Sequence, residues 1–111
     1  MAKDDLRTEA RLARTRRATL TFNGASASAL IQDVSVKGFL IMATKRYSVG
    51  DVLALRTELY PGQVLECKVA VRHVTDDNCL GTQISEIGPS GSRLCRQFIE
   101  EHYAQKLNFT D

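Results

Sequence analysis

Gln32-Asp33-Val34-Ser35-Val36-Lys37-Gly38-Phe39-Leu40 separates two apolar, strand-like runs, 27–31 and 39–42. Asp and Ser side chains bond neighbouring backbone N–H groups and so favour turns. Gly38 supplies a residue free to take positive φ. The stretch therefore reads as a β-turn joining two antiparallel strands. Asp33 and Ser35 also carry bonding capacity that a turn need not use. A carboxylate accepts two hydrogen bonds side by side, and a hydroxyl both donates and accepts. Such a pair suits a flat molecular edge with adjacent N–H donors, and the turn alone does not decide between the two roles.

Working outward, residues 19–22 alternate in polarity and end at Asn23-Gly24, a strong hairpin signal. Residues 27–32 form the second strand and 38–43 the third. Tyr47-Ser48-Val49-Gly50-Asp51 is a loop entering a strand at 52–57, and Pro61-Gly62 is a turn pair. Residues 64–74 alternate through Cys67, Val69 and Val71 and on to His73. Asp76-Asp77-Asn78 makes a polar turn before a last strand at 80–84, so these two runs form a long hairpin. Six short strands punctuated by turns predict an all-β fold, a six-stranded antiparallel β-barrel. After Gly88-Pro89-Ser90-Gly91-Ser92, apolar residues recur at Leu94, Cys95, Phe98, Ile99 and Tyr103, which is helical spacing with one buried stripe. Ser90 or Ser92 is the expected cap, and the helix is expected to lie across the barrel or one open end of it. The expected organisation is a basic arm over 1–17, the barrel over 18–87, and a C-terminal helix and tail over 88–111.

A chain of 111 residues is expected to form one domain. Apolar content of 43% and charged content of 25% are ordinary for a soluble globular protein. No run approaches the roughly 18 consecutive apolar residues of a membrane helix, and 1–7 lack the apolar segment of a signal peptide. The expectation is a cytoplasmic protein with no membrane insertion. Cys67, Cys79 and Cys95 are odd in number and widely spaced, unlike a zinc-ligand set, and point to a reducing compartment. No metal site and no cofactor are expected. His73, with Asp76 and Asp77 nearby, reads as a solvated strand end, and His102 as a half-buried packing residue on the helix. No cysteine or serine stands beside an oriented base in any local pattern, so the chain is not expected to be an enzyme.

Net charge is only +2, but its distribution is uneven. Residues 1–17 hold Lys3, Arg7, Arg11, Arg14, Arg16 and Arg17 against Asp4, Asp5 and Glu9, a balance of +3 that leaves −1 for the rest. Positive charge concentrated on one arm implies a discrete anionic partner. With little to bury, the arm is expected to be flexible and to order on binding. Arg7 and Arg11 lie one helical turn apart, so a turn or compact loop presents both on one side. A guanidinium pairs with phosphate, stacks on aromatic rings, and reads guanine through O6 and N7. Asp33 and Ser35 complement that set with acceptors for the guanine N–H edge.

Arg7-Thr8-Glu9-Ala10-Arg11, followed 22 positions after Arg11 by Asp33-Val34-Ser35-Val36-Lys37-Gly38, resembles the RxxxR and (D/N)xSxxG signatures of the PilZ domain family. The similarity continues through 52–55, the long hairpin, 80–84 and the final helix, nearly the whole chain. The resemblance implies a six-stranded barrel that binds the bacterial second messenger cyclic di-GMP. Carried over residue by residue, Arg7 and Arg11 would clamp phosphate and guanine O6/N7. Asp33 and Ser35 would take the guanine N–H edge, and Gly38 would shape the turn. Lys37 and Arg72 are further ligand-contact candidates. Leu6 stands where another Arg could stack on a second ligand molecule, which favours one bound molecule over an intercalated pair.

The expected function is thus a cyclic di-GMP receptor that couples messenger level to an effector protein in motility, adhesion or polysaccharide export. The alternative is an interaction module of the same fold that takes a protein and no nucleotide. A barrel binding single-stranded nucleic acid would need exposed aromatic platforms. Phe22, Phe39, Tyr47, Tyr60, Phe98, Tyr103 and Phe109 provide no adjacent surface pair on one hairpin, so neither DNA nor RNA is expected as a partner.

Overall fold

The computed structural model describes residues 15–35 and 37–110, with side chains through His102. Six strands are followed by one helix: β1 (Arg16–Phe22), β2 (Ala25–Val34), β3 (Phe39–Ala43), β4 (Val52–Tyr60), β5 (Gln63–Val74), β6 (Cys79–Ile87) and α1 (Pro89–Thr110). The strands close into an antiparallel barrel in the order β1-β2-β3-β6-β5-β4. Closure comes from β1 pairing with β4, Leu20 opposite Leu55 and Ala18 opposite Thr57. A closed barrel leaves no sheet edge to pair with another chain. The six strands and the C-terminal helix expected from the sequence are all present.

Side-chain alternation explains which face closes inward. In β4, Leu53, Leu55, Thr57 and Leu59 are buried while Ala54, Arg56 and Glu58 face solvent, the period of two that a pleated strand imposes. In β5 Leu65, Cys67, Val69 and Val71 alternate into the core, and Ala70 is buried as well. The expected continuation of that set to His73 does not hold. The β5–β6 register shifts between Val71 and His73, and the shift turns His73 outward and leaves Val74 half-buried. Thr57 is the one buried polar side chain among the described residues. Its hydroxyl donates to the Arg17 carbonyl at 2.7 Å across the closing seam.

Local turn chemistry sets the hairpins. Asn23 and Gly24 both have positive φ, 51° and 80°, the mirror-image turn that matches the twist of a two-residue hairpin. It holds Phe22 opposite Ala25, so β2 begins two residues before the run read from its apolar content. Asn78 is also left-handed, at φ 62°. Its Nδ2 donates to the carbonyls of Ala43 (3.0 Å) and Lys45 (2.9 Å), tying the β5–β6 turn to the end of β3. The 44–51 connection crosses that end of the barrel, with the Tyr47 ring edge-on to Phe22 at 6.1 Å.

The opposite end is closed by α1. It starts at Pro89, with the Ser92 N–H donating to the Gly88 carbonyl at 2.9 Å. Proline is favoured at the first helical position because its missing N–H would be unbonded there anyway. Gly88, and neither Ser90 nor Ser92, therefore precedes the helix, and the serine cap expected from the sequence is not formed. Gly91 brings the first turn flush against the barrel: a Cβ there would sit 2.9 Å from Leu65 and 3.0 Å from Ile87. Cys95 and Phe98 then plug the core, Phe98 with no exposed surface. A fully buried ring of this size is worth about 3–5 kcal/mol on truncation to alanine.

Candidate functional site

The end of β2 is built around an irregularity. Ile31 pairs with Ile41 and Asp33 with Leu40, so Gln32 is an extra residue in the ladder. Such a bulge bends the strand and re-aims the side chains beyond it. Asp33, half-buried, lies in the outward row with Leu40, and its Oδ1 accepts the Val34 N–H at 3.1 Å. Val34 and Phe39 both point into the core, which pins the two ends of the connecting turn and leaves Ser35 and Lys37 exposed.

Ser35 builds that turn. Its N–H donates to the Gly38 carbonyl at 2.9 Å, and its hydroxyl donates to the same oxygen at 3.1 Å. The hydroxyl oxygen in turn accepts the Gly38 N–H at 3.1 Å and the Lys37 N–H at 3.3 Å. One donor and two acceptor sites are what a serine hydroxyl has, so all are used within the turn.

Gly38 is required for a reason the sequence does not show. It has no positive φ, so the conformational freedom a glycine offers is not what this position uses. Instead a Cβ at this position would overlap the carbonyl oxygen of Thr82 and lie 2.7 Å from its carbon. The turn is strapped to β6: the Ile84 N–H donates to the Lys37 carbonyl at 2.7 Å. The Thr82 hydroxyl accepts the Phe39 N–H at 3.2 Å and donates to the Phe39 carbonyl at 2.9 Å. Only a residue without a side chain fits between those anchors.

Arg72 is exposed on β5, its Nε donating to Gln83 Oε1 at 3.0 Å. Gln83 adjoins Ile84, the residue bonded to Lys37, so β6 brings Arg72 and the turn to neighbouring positions. Thr82 and Gln83 organise this region, yet neither stands out in the sequence, because both act through inter-strand contacts. One rung along the outer face from the Asp33–Leu40 pair, Leu30 opposes Met42. These two line a shallow groove of about 640 Å³ together with Arg17, Thr19, Ser28 and Arg56. Arg7 and Arg11 lie outside the described residues, as does the arm over 1–14. Arg16 and Arg17, counted with the arm in the sequence, are the first residues of β1.

Among the described residues, no three or more His, Cys, Asp or Glu side chains are grouped to hold a metal ion. No helix of the described residues is long and apolar enough to cross a membrane. The cysteines are free, with Cys67 and Cys95 buried. Burial, then the neighbouring Cys95, pushes the Cys67 thiol up to about 12, and burial pushes Cys95 to about 11. Neither is a nucleophile at neutral pH.

The described residues thus form a small closed barrel with an exposed polar turn and, on its outer face, a shallow groove that Arg17 and Arg56 line. The PilZ domain family model matches residues 5–101, and the chain belongs to that family. PilZ domains are binding or adaptor modules, generally for cyclic di-GMP, and are not enzymes. No curated protein matches the chain.

Proposed function

We propose that this protein is a cytoplasmic cyclic di-GMP receptor in which Arg7 and Arg11 clamp the ligand's phosphates and guanine O6/N7 against the β2–β3 turn. Asp33 accepts from the guanine N–H edge. Ser35 and Gly38 hold the turn in register on β6, and Lys37 and Arg72 add positive potential at its border. Ordering of the arm over the ligand presents a changed surface to an effector protein, in motility, adhesion or polysaccharide export.

The observation that supports this most is the β1–β2 register. Arg16 lies opposite Ile31, two residues before Asp33, so the arm leaves the barrel beside the turn. At about 3.3–3.6 Å per residue at most, Arg11 lies within roughly 17 Å of Arg16 and Arg7 within roughly 30 Å. Both can therefore meet a dinucleotide seated on Asp33. The family match supports the ligand class.

The competing reading, a module that takes a protein and no nucleotide, draws on the same turn. Ser35 and Gly38 have complete structural reasons to be what they are. Titration calorimetry with cyclic di-GMP separates the two. Saturable heat with the wild-type chain, lost in Arg7→Ala and Arg11→Ala, supports the receptor, and no heat at any ligand concentration supports the alternative.

A further inference from the structure

β3 and β6 pair through Met42–Cys79, Ile41–Leu80 and Leu40–Gly81, and the paired rungs stop one residue short of the β2–β3 turn. At the next position a side chain takes over. The N–H of Phe39, a core residue with 3% exposure, donates to the Thr82 hydroxyl at 3.2 Å. The same hydroxyl donates to the Phe39 carbonyl at 2.9 Å. Thr82 pairs with Val71 on its other side, so β5 fixes the strand that carries the hydroxyl. Two residues further along, the Ile84 N–H reaches the Lys37 carbonyl at 2.7 Å. The Ser35 bonds to Gly38 and Lys37 close the turn on itself. Its seat on β6 is made by the Phe39–Thr82 and Lys37–Ile84 bonds, with Gly38 set against the Thr82 carbonyl between them. Asp33 pairs with Leu40, the residue after Phe39, so the placement of its carboxylate follows that seat.

We propose that Thr82 is a positioning residue for the ligand: its hydroxyl, standing in for a main-chain rung, sets how the β2–β3 turn sits on β6 and with it the affinity for cyclic di-GMP. This rests on the receptor reading given above. A hydroxyl suits the position because one oxygen both donates and accepts, and so serves the N–H and the carbonyl of the same residue. Valine has the shape of threonine and can do neither. Serine keeps the hydroxyl and loses only a methyl group. Without the hydroxyl, the buried Phe39 N–H loses this acceptor, and the turn opens from β6 more often while the rest of the barrel stays closed. Affinity falls by the fraction of time the turn is off its seat. Linkage is reciprocal, so a ligand held by Asp33 keeps the turn seated and protects the Phe39 amide.

The experiment combines amide exchange and calorimetry with cyclic di-GMP on the full chain, well below the unfolding temperature. Wild type is compared with Thr82→Val, Thr82→Ser and Asn78→Ala, the last a variant weakened at the opposite end of the barrel. In the wild type, saturating ligand slows exchange at Gly38, Phe39 and Ile84. Thr82→Val binds about two- to tenfold more weakly, the equivalent of one intramolecular hydrogen bond. Without ligand its exchange quickens at those three amides more than at Leu20 and Val69. Thr82→Ser binds within twofold of wild type, and so does Asn78→Ala despite its lower stability. Thr82→Val with wild-type affinity, Thr82→Ser as weak as Thr82→Val, or Asn78→Ala equally weak overturns the positioning role and leaves the receptor reading standing. So does a wild-type Phe39 amide that saturation leaves unprotected, an observation that needs no variant to fold. If the wild-type chain binds no cyclic di-GMP, the receptor reading falls, and control of the turn is judged without ligand. Thr82→Val must then quicken exchange at Gly38, Phe39 and Ile84 beyond Leu20 and Val69, and a uniform change or none overturns it.

Discussion

Gly38 rests against the carbonyl of Thr82 on the neighbouring strand, so closely that a single methyl group at position 38 would occupy the same space as that oxygen. The obstacle is backbone, fixed by the Ile84–Lys37 bond and the Thr82–Phe39 pair, and cannot rotate aside. Gly38→Ala is expected to destabilise the fold by at least the 1–3 kcal/mol or so of an overpacked core site. Urea unfolding measures this directly. A variant as stable as the wild type would mean that the turn can lift from β6 at no cost.

Arg7→Ala and Arg11→Ala separate a ligand role from a structural one. On the proposed reading each variant loses a bidentate contact worth about 1–3 kcal/mol, so cyclic di-GMP affinity should fall roughly five- to 150-fold. The Tm of the ligand-free protein should stay where it is. A large drop in Tm would assign the arginines to the fold.

Asp33→Ala should lower affinity for cyclic di-GMP and also its preference over cyclic di-AMP, because adenine lacks the paired N–H edge that a carboxylate accepts. The comparison of the two dinucleotides by calorimetry is the check. An equal loss for both would remove base-edge recognition from Asp33.

Asn78 combines a left-handed backbone with two side-chain bonds to the end of β3. Asn78→Ala should cost about 2–4 kcal/mol, from two lost hydrogen bonds and the left-handed penalty of a residue with a Cβ. Asn78→Gly should recover only the backbone part, so its urea midpoint should fall between the other two.

Alkaline stability follows from the buried thiols. Cys67 and Cys95 lie near 12 and 11 in the folded protein against an ordinary value of 9.0. The unfolded chain therefore loses its thiol protons first as pH rises. Their contribution is complete below pH 9 and is lost as pH climbs through the folded values. The urea midpoint should decline above pH 9, less so in a Cys67→Ala, Cys95→Ala double variant. An equal decline in both proteins would place the alkaline loss in other groups, such as Tyr60, whose hydroxyl burial and Glu101 push up to about 12.

The barrel was legible because alternation along β4 and β5 and the punctuation at Asn23-Gly24, Pro61-Gly62 and 76–78 each report a local preference. What local preference does not carry is the register between strands. The start of β1 at Arg16 depends on its pairing with Ile31, and the extension of β6 to Ile87 on its pairing with Cys67. The same limit applies at the site. Asp33, Ser35 and Gly38 stand out as turn residues, but the reason for Gly38 is a strand remote in sequence. The Arg16 guanidinium carbon lies 5.0 Å from the centre of the Phe98 ring, a contact between two residues that nothing in the sequence links. Side chains whose role is set by an inter-strand approach stay invisible until the register is known.

The central claim is that the β2–β3 turn and the arginines of 7–11 hold one cyclic di-GMP. The most direct test is a ¹H–¹⁵N titration of the labelled chain with that ligand. The account predicts saturable shifts at Asp33, Ser35 and Gly38 together with the amides of Arg7 and Arg11, while the far end of the barrel at Phe22 and Tyr47 stays unchanged. Saturating ligand that leaves every resonance in place, or shifts confined to the far end, would contradict it.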